Sequence, residues 1–256
     1  MRITLLGTGT SQGVPVIGCG CAVCVSADER NNRLRCSVLL QTDETSVVID
    51  TGPDFRQQML RARISKIDAV LFTHEHKDHI AGLDDVRPIN FRYEMDMPVY
   101  ATERVQTALR REYAYIFEPA PYPGIPRVIL HTIDEKTPFQ VGDIPFVPIE
   151  VLHYKLPTMA FRTGDFTYIT DAKTIAPSEI EKIRGTKILV INALQHEVHI
   201  SHFNLREALA MIKIIAPERA YLTHLSHHFG LHAEWETQLP ENVFIAYDGL
   251  TFEVNK

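Results

Sequence analysis

Apolar and polar residues alternate with a period of two through much of the chain, and a helical period appears in only a few stretches. Alternation or short apolar runs predict strands over Arg2–Leu6, Ser37–Gln41, Ser46–Ile49, Ala69–Phe72 and Pro98–Ala101. A second group is predicted over Val128–Thr132, Phe139–Val141, Phe146–Leu152, Met159–Arg162 and Phe166–Thr170, with Gly164-Asp165 as a hairpin turn between the last two. Helices are predicted over Phe55–Ala62, Thr102–Tyr115, Pro177–Ile183 and Asn204–Ile215. The last carries Leu205, Leu209, Ile212 and Ile215 on one stripe, can be capped by Asn204, and stops before Pro217. Strands Lys187–Ile191 and Ala220–Leu222 follow the last two helices in turn. The C-terminus reads as a hairpin of Val243–Ala246 and Thr251–Val254, turning at Asp248-Gly249.

Each half has too few helices to cover both faces of its own sheet. Two sheets packed face to face with helices outside bury everything in one core, so the expected class is α/β, a four-layer αββα sandwich. The Pro-rich stretch Pro119–Pro126 is a candidate linker, but the helix shortage favours one domain spanning residues 1–256. There is no internal repeat by motif, no low-complexity run and no Gly/Ser linker.

Hydrophobic residues make up 45% of the 256 and charged residues 23%, ordinary for a globular enzyme. A formal charge of −6 weighs against a surface built to grip nucleic-acid backbone nonspecifically. No apolar run approaches the ~18 residues of a membrane span, and the apolar part of the first strand is too short for a signal peptide. A cytoplasmic protein with no membrane partner is expected.

The chemistry concentrates in Thr73-His74-Glu75-His76-Lys77-Asp78-His79, directly after an apolar run. In extended backbone, residues two apart share a side, so His74 and His76 can converge on one cation. Asp78 and His79 lie past the strand end, where a turn can aim them at a second cation. Two metals about 3.5–4 Å apart are a device for cleaving phosphoester or acyl bonds with activated water. His153, Asp171 and His224 are metal-capable side chains that each follow a short apolar strand, where loops can bring them to a shared rim.

Cys19, Cys21 and Cys24 form a CxCxxC cluster, whose thiolates suit a tetrahedral zinc that then needs one more donor. A redox cluster or plain buried thiols are the competing readings. Cys36 alternates with Val38 and Leu40 and reads as a core thiol. Gly7, Gly9 and Gly13 follow the first strand, but their spacing is GxGxxxG and no helix follows, which excludes a dinucleotide fingerprint.

HxHxDH followed by isolated His, Asp and His resembles the metallo-β-lactamase superfamily, whose fold is the αββα sandwich. The resemblance implies one metal at His74, His76 and His153, a second at Asp78, His79 and His224, and Asp171 bridging both. Asp50, ending Val47-Val48-Ile49-Asp50, matches the superfamily aspartate that orients ligands from behind. A narrower likeness covers nearly the whole chain. Leu6-Gly7-Thr8-Gly9-Thr10-Ser11-Gln12-Gly13-Val14-Pro15, the cysteines, and Thr223-His224-Leu225-Ser226-His227 resemble the PhnP branch, phosphodiesterases of phosphonate degradation. That branch implies a structural zinc on Cys19, Cys21, Cys24 and His227, with adjacent His228 a rival. A zinc tying residue 24 to residue 227 could, by analogy with long disulfide loops, contribute on the order of 5 kcal/mol. It also implies that His202, in Ser201-His202-Phe203-Asn204-Leu205, contacts phosphate.

The function implied is a dinuclear-metal hydrolase, a phosphodiesterase on a small or cyclic phosphodiester, acting through a metal-bridging hydroxide. Mixed His/carboxylate ligation suits Zn²⁺, Mn²⁺ and Fe²⁺ alike, with zinc or manganese the expected active-site ions. Asp78 and His202 are the residues expected to serve the chemistry, with protonated His202 assisting the leaving group. Rival readings are a tRNase Z-like ribonuclease, an acyl hydrolase such as a lactonase or thioesterase, and a non-catalytic PqqB-like accessory protein. The short His153–Asp171 interval and the negative charge favour a small substrate over RNA. A homodimer is an expectation carried by relatives. His196, His199, His131, His232 and Arg87 have no assigned role in the site.

Overall fold

The computed structural model describes residues 1–118 and 122–255, so Pro119 and Pro121 of the Pro-rich stretch lie outside the described residues. In chain order the strands are β1 (Arg2–Gly7), β2 (Ser37–Gln41), β3 (Ser46–Ile49), β4 (Ala69–Leu71), β5 (Met97–Ala101) and β6 (Val128–Thr132). They continue with β7 (Phe139–Val141), β8 (Ile144–His153), β9 (Leu156–Thr163), β10 (Phe166–Ile169) and β11 (Thr174–Ile175), then β12 (Ile188–Asn192), β13 (Arg219–Thr223), β14 (Val243–Ile245) and β15 (Thr251–Glu253). The helices are α1 (Phe55–Ala62), α2 (Lys77–Ile80), α3 (Arg87–Tyr93), α4 (Glu103–Glu112), α5 (Pro177–Ile183), α6 (Leu205–Ile215) and α7 (His232–Glu236).

One sheet has the order β15-β1-β2-β3-β4-β5-β6, the other β11-β8-β9-β10-β12-β13-β14, with β7 paired to β8. The period-two pattern sorts residues between layers. Ile3, Leu5, Val38, Leu40, Val47 and Ile49 face the other sheet, where Phe146, Phe161, Phe166 and Tyr168 meet them. Their neighbours Leu6, Leu39 and Val48 point outward against Phe55 and Met59 of α1 and Val105 and Leu109 of α4. On the opposite side, Ile169, Leu189, Ile191 and Leu222 pack under Ala208, Ile212 and Ile215 of α6. The fold is therefore the expected metallo-β-lactamase αββα sandwich.

Asn204 caps α6 as expected, in a reciprocal box with Glu207: Asn204 Oδ1 accepts from Glu207 N at 2.9 Å and Glu207 Oε2 accepts from Asn204 N at 3.0 Å. Helix α4 is shorter than the expected Thr102–Tyr115 because Thr102 is its N-cap and the last residues form a 3₁₀ turn over Ala114–Ile116. Helices α2, α3 and α7 have no counterpart in the sequence reading; α2 and α7, four and five residues long, are too short for a periodic signal.

The closing hairpin is overturned. β14 runs parallel to β13 in the second sheet, whereas β15 pairs antiparallel with β1 in the first. Asp248-Gly249 therefore lies in a crossing between sheets. Asp248 pins that crossing, accepting from Thr8 Oγ1 and Leu34 N at 2.8 Å and pairing with Arg61 at 3.1 Å. Each tail strand finds a longer partner elsewhere, which a local turn signal cannot reveal. Among the described residues, no helix is long and apolar enough to cross a membrane.

Candidate metal centre

The site forms where β3, β4, β8, β10 and β13 end. Asp50, Asp171 and His224 each follow a strand with a left-handed backbone, at φ 64°, 53° and 57°. That conformation is sparsely populated by residues other than glycine, and Asp and His tolerate it better than most. The abrupt turn aims each side chain at the common rim. Helix α2 begins at its N-cap His76 and so carries Asp78 and His79. Gly52 and Gly82 permit this loop to pack closely: a Cβ on Gly52 would sit 2.1 Å from Asp78 O, and one on Gly82 2.2 Å from Gly52 O.

All seven expected donors come together. His74, His76, His153 and Asp171 form one cluster, and His79, Asp171 and His224 a second, with ligand atoms in each group within 4.8 Å of one another. Asp171 belongs to both. Its Oδ2 lies 3.8 Å from His74 Nε2 and 4.0 Å from His153 Nε2; its Oδ1 lies 3.4 Å from His79 Nε2 and 3.1 Å from His224 Nδ1. Asp78 Oδ2 joins the second cluster, 3.1 Å from His79 Nε2.

Polar groups behind the donors fix their orientation. Asp50 is fully buried and takes the Nδ1 of His79 at 2.7 Å, leaving His79 Nε2 facing inward. It also accepts from Thr73 N at 2.9 Å and Thr73 Oγ1 at 2.8 Å, and Thr73 Oγ1 lies 3.0 Å from His74 Nδ1. His153 donates from Nδ1 to Ser201 O at 2.8 Å. His224 Nε2 lies 3.2 Å from Thr10 Oγ1. Asp50 is thus where the sequence placed it, whereas Thr73 and Thr10 were missed. They are ordinary threonines in the sequence; only their place directly before the histidine motif and in the glycine-rich turn distinguishes them.

His79 Nε2 decides whether metal fits. It is buried and has no hydrogen-bond partner, although two carboxylate oxygens lie within 3.4 Å, because neither is aligned with the N–H direction. A buried polar atom facing carboxylates without a shared proton is satisfied by a cation between them. Electrostatics agree with a site made to hold positive charge. Burial works against ionised Asp171, yet the His224 and His79 rings hold it well below the usual carboxylate range. Burial likewise opposes a charged His79, but Asp78, Asp171 and Asp50 raise it well above the imidazole range. Burial drives His74 well below that range, as suits a neutral donor.

His202 sits on the same rim. Phe203 N donates to Ala172 O at 2.8 Å and Leu194 N to Phe203 O at 2.9 Å, which ties its loop to the strand end carrying Asp171. The ring lies 4.4 Å from that of His153 and 4.8 Å from that of His224, centroid to centroid. Its Nδ1 is 4.0 Å from Asp171 Oδ2 and has no hydrogen-bond partner. Burial pulls it down to about 2, with Asp171 opposing. The protonated His202 expected from the sequence is therefore disfavoured without an anion beside it.

The cysteine cluster also closes. Sγ atoms of Cys19, Cys21 and Cys24 lie 3.3, 3.4 and 3.5 Å from His227 Nδ1. His227, and not His228, completes the set. Cys21 is pulled down to about 6, chiefly by the Cys24 backbone N–H, while burial pushes Cys24 up to about 11. Cys36 is a core thiol as expected, buried beside Thr223 and pushed by burial up to about 12. His196 bonds Phe229 O at 2.7 Å and packs on Trp235, and His131 stacks on Tyr100, so both serve structure. His199 bonds Ser201, His232 faces Arg33, and Arg87 reaches Gly124 O.

A family description, beta-lactamase superfamily domain, matches residues 45–225. The chain belongs to this superfamily. Its fold is the metallo-β-lactamase fold. The crystal structure of a new diphosphatase from the PhnP family superposes with a TM-score of 0.92 at 39% identity, covering 99% of this chain and 98% of that one. An octanoyltransferase of Porphyromonas gingivalis is 43% identical over 252 residues, 98% of this chain. The chain spans about half the length of that relative, 51%. Zinc-bound PqqB from Methylobacterium extorquens shares the fold with a TM-score of 0.78 at 20% identity, covering 99% of this chain and all of that one.

Proposed function

We propose that this superfamily hydrolase cleaves small phosphodiesters, cyclic or diphosphate-linked. The observation that carries the reading is His202: a nearly buried imidazole with an unpartnered Nδ1, 4.0 Å from the carboxylate shared by both donor clusters. When bound there, two divalent cations would supply an activated water and neutralise charge on a phosphate. His74, His76 and His153 would hold one, Asp78, His79 and His224 the other, and Asp171 both. Zinc and manganese suit this donor set. Cys19, Cys21, Cys24 and His227 would hold a structural zinc.

The chain's own contribution is orientation and proton handling. Asp50 keeps a proton on His79 Nδ1, and Ser201 O keeps one on His153 Nδ1, so both rings present Nε2 to the centre. His202, held neutral by burial, takes up a proton from solvent when the anionic phosphodiester comes to lie beside it. From Nδ1 it then hydrogen-bonds the phosphate oxygen and passes the proton to the leaving oxygen. Likeness to the PhnP-family diphosphatase supports the reading, and the net charge of −6 favours a small substrate over a polynucleotide.

Acyl hydrolysis is the second reading, favoured by the 43% identical octanoyltransferase. The two separate in one panel of metal-reconstituted protein: bis-p-nitrophenyl phosphate, 2′,3′-cyclic nucleotides and dinucleoside diphosphates against lactones and octanoyl thioesters. Turnover of phosphoesters alone is expected. Turnover confined to the acyl compounds would overturn the phosphodiesterase reading.

A further inference from the structure

Beside the donor histidines His76 and His153 opens a groove of about 500 Å³, walled by Arg104, Tyr154, Lys155 and Ile200. Its most informative wall is Tyr154. His153 pairs with Leu156 across β8 and β9, so the connecting turn contains only Tyr154 and Lys155. Tyr154 adopts φ 58°, a left-handed backbone that glycine or asparagine occupies readily and a bulky aromatic residue does not. The turn nevertheless carries an aromatic ring, 50% exposed, immediately after a metal-facing histidine. Ile200, two residues before His202, is 66% exposed on the same groove. Together they offer a flat apolar wall to whatever occupies the space beside the metals.

The groove is also cationic. Lys155 Nζ lies 5.3 Å from the centre of the Tyr154 ring and forms no ion pair with any described residue. Arg104 donates through Nε to Glu75 Oε1 at 2.6 Å, a bond that uses one of five guanidinium donors and holds the group at the groove's edge. Glu75 stands between His74 and His76, so the metal motif itself orients this arginine. A planar guanidinium and an ammonium without a carboxylate partner suit phosphate oxygens, and a half-exposed aromatic ring suits a nucleobase.

We propose that this groove binds the half of the substrate not attacked, and that this half is nucleotide-like. A second phosphate sits between Arg104 and Lys155, and a flat ring lies on Tyr154 and Ile200. The assignment rests on the phosphoester reading of the metal centre and narrows its substrate class to diphosphate-linked nucleosides.

Calorimetric binding to zinc-reconstituted protein tests it without turnover. The probes are α,β-methylene-ADP and methyl methylenediphosphonate, equal in diphosphonate charge and resistant to hydrolysis, of which only the first carries a nucleoside. The native protein is expected to bind the nucleotide about tenfold more tightly, and Tyr154→Asn, which suits the left-handed turn, to bring that ratio near one. Arg104→Gln and Lys155→Gln are expected to weaken both probes several-fold. Equal affinity of native protein for the two probes, or a ratio undisturbed by Tyr154→Asn, overturns the groove assignment while leaving the phosphoester reading intact. If neither probe binds, the parent reading fails and the groove assignment with it.

Discussion

Asp50 Oδ2 lies 2.7 Å from His79 Nδ1, and neither side chain reaches solvent. The same carboxylate holds Thr73, whose hydroxyl meets His74, so one residue orients donors of both clusters. Asp50→Asn keeps the volume and the tolerance for the left-handed turn but offers an amide hydrogen to one of three donors. Metal affinity is expected to fall about 10–100-fold, read by chelator competition. Native-like affinity would remove Asp50 from ligand orientation.

His202 separates catalysis from metal binding. His202→Ala should lower kcat on a phosphodiester by about 10²–10⁴-fold while two active-site metals per chain remain by elemental analysis. Unchanged kcat would take His202 out of the mechanism.

Stripping metal has two expected consequences, because the two kinds of site differ in chemistry. Mild chelation should abolish turnover and leave one zinc per chain, held by Cys19, Cys21, Cys24 and His227. Cys24→Ser should lose that zinc and lower the melting temperature by roughly 10 °C, since a cross-link of this span is worth ~3–5 kcal/mol at about 2–4 °C per kcal/mol. A melting temperature matching the native protein would show the cluster to be unnecessary for stability.

Gly52 has no positive φ that demands glycine; its constraint is steric. Gly52→Ala must displace the backbone carrying Asp78, because its Cβ would lie 2.1 Å from Asp78 O. A loss of about 1–3 kcal/mol in stability is expected, together with weaker metal binding. Denaturant titration and metal analysis check the two effects separately.

Asp28 supplies a pH test away from the metals. Its hydrogen bonds from the Arg30 side chain and backbone hold the carboxyl at about 2, against an ordinary 3.8. Because the folded value is the lower one, the stabilisation is present above the unfolded pKa and fades as pH falls from about 4 towards 2. The stability difference between native protein and Asp28→Asn should shrink across that window in denaturant titrations. A constant difference would mean that ionisation of Asp28 contributes nothing.

What the sequence determined is whatever depends on short-range pattern. Period-two alternation sorted Val38 and Leu40 from Leu39 before any layer was known, and the capping residue and stripe of α6 fixed its start. His74 and His76 could be paired because extended backbone repeats every two residues, and His153, Asp171 and His224 stood out at strand ends. The tertiary structure decided what depends on neighbours distant in the chain. It sent β14 and β15 to different sheets, because each found a longer pairing edge than the other could offer. It chose His227 over His228, since the approach of three thiols from the far end of the chain sets which imidazole faces them. It also gave Thr10, Thr73, Gly52 and Tyr154 their parts. These residue types are unremarkable alone, and only burial, a neighbouring backbone or an adjoining cavity makes them matter.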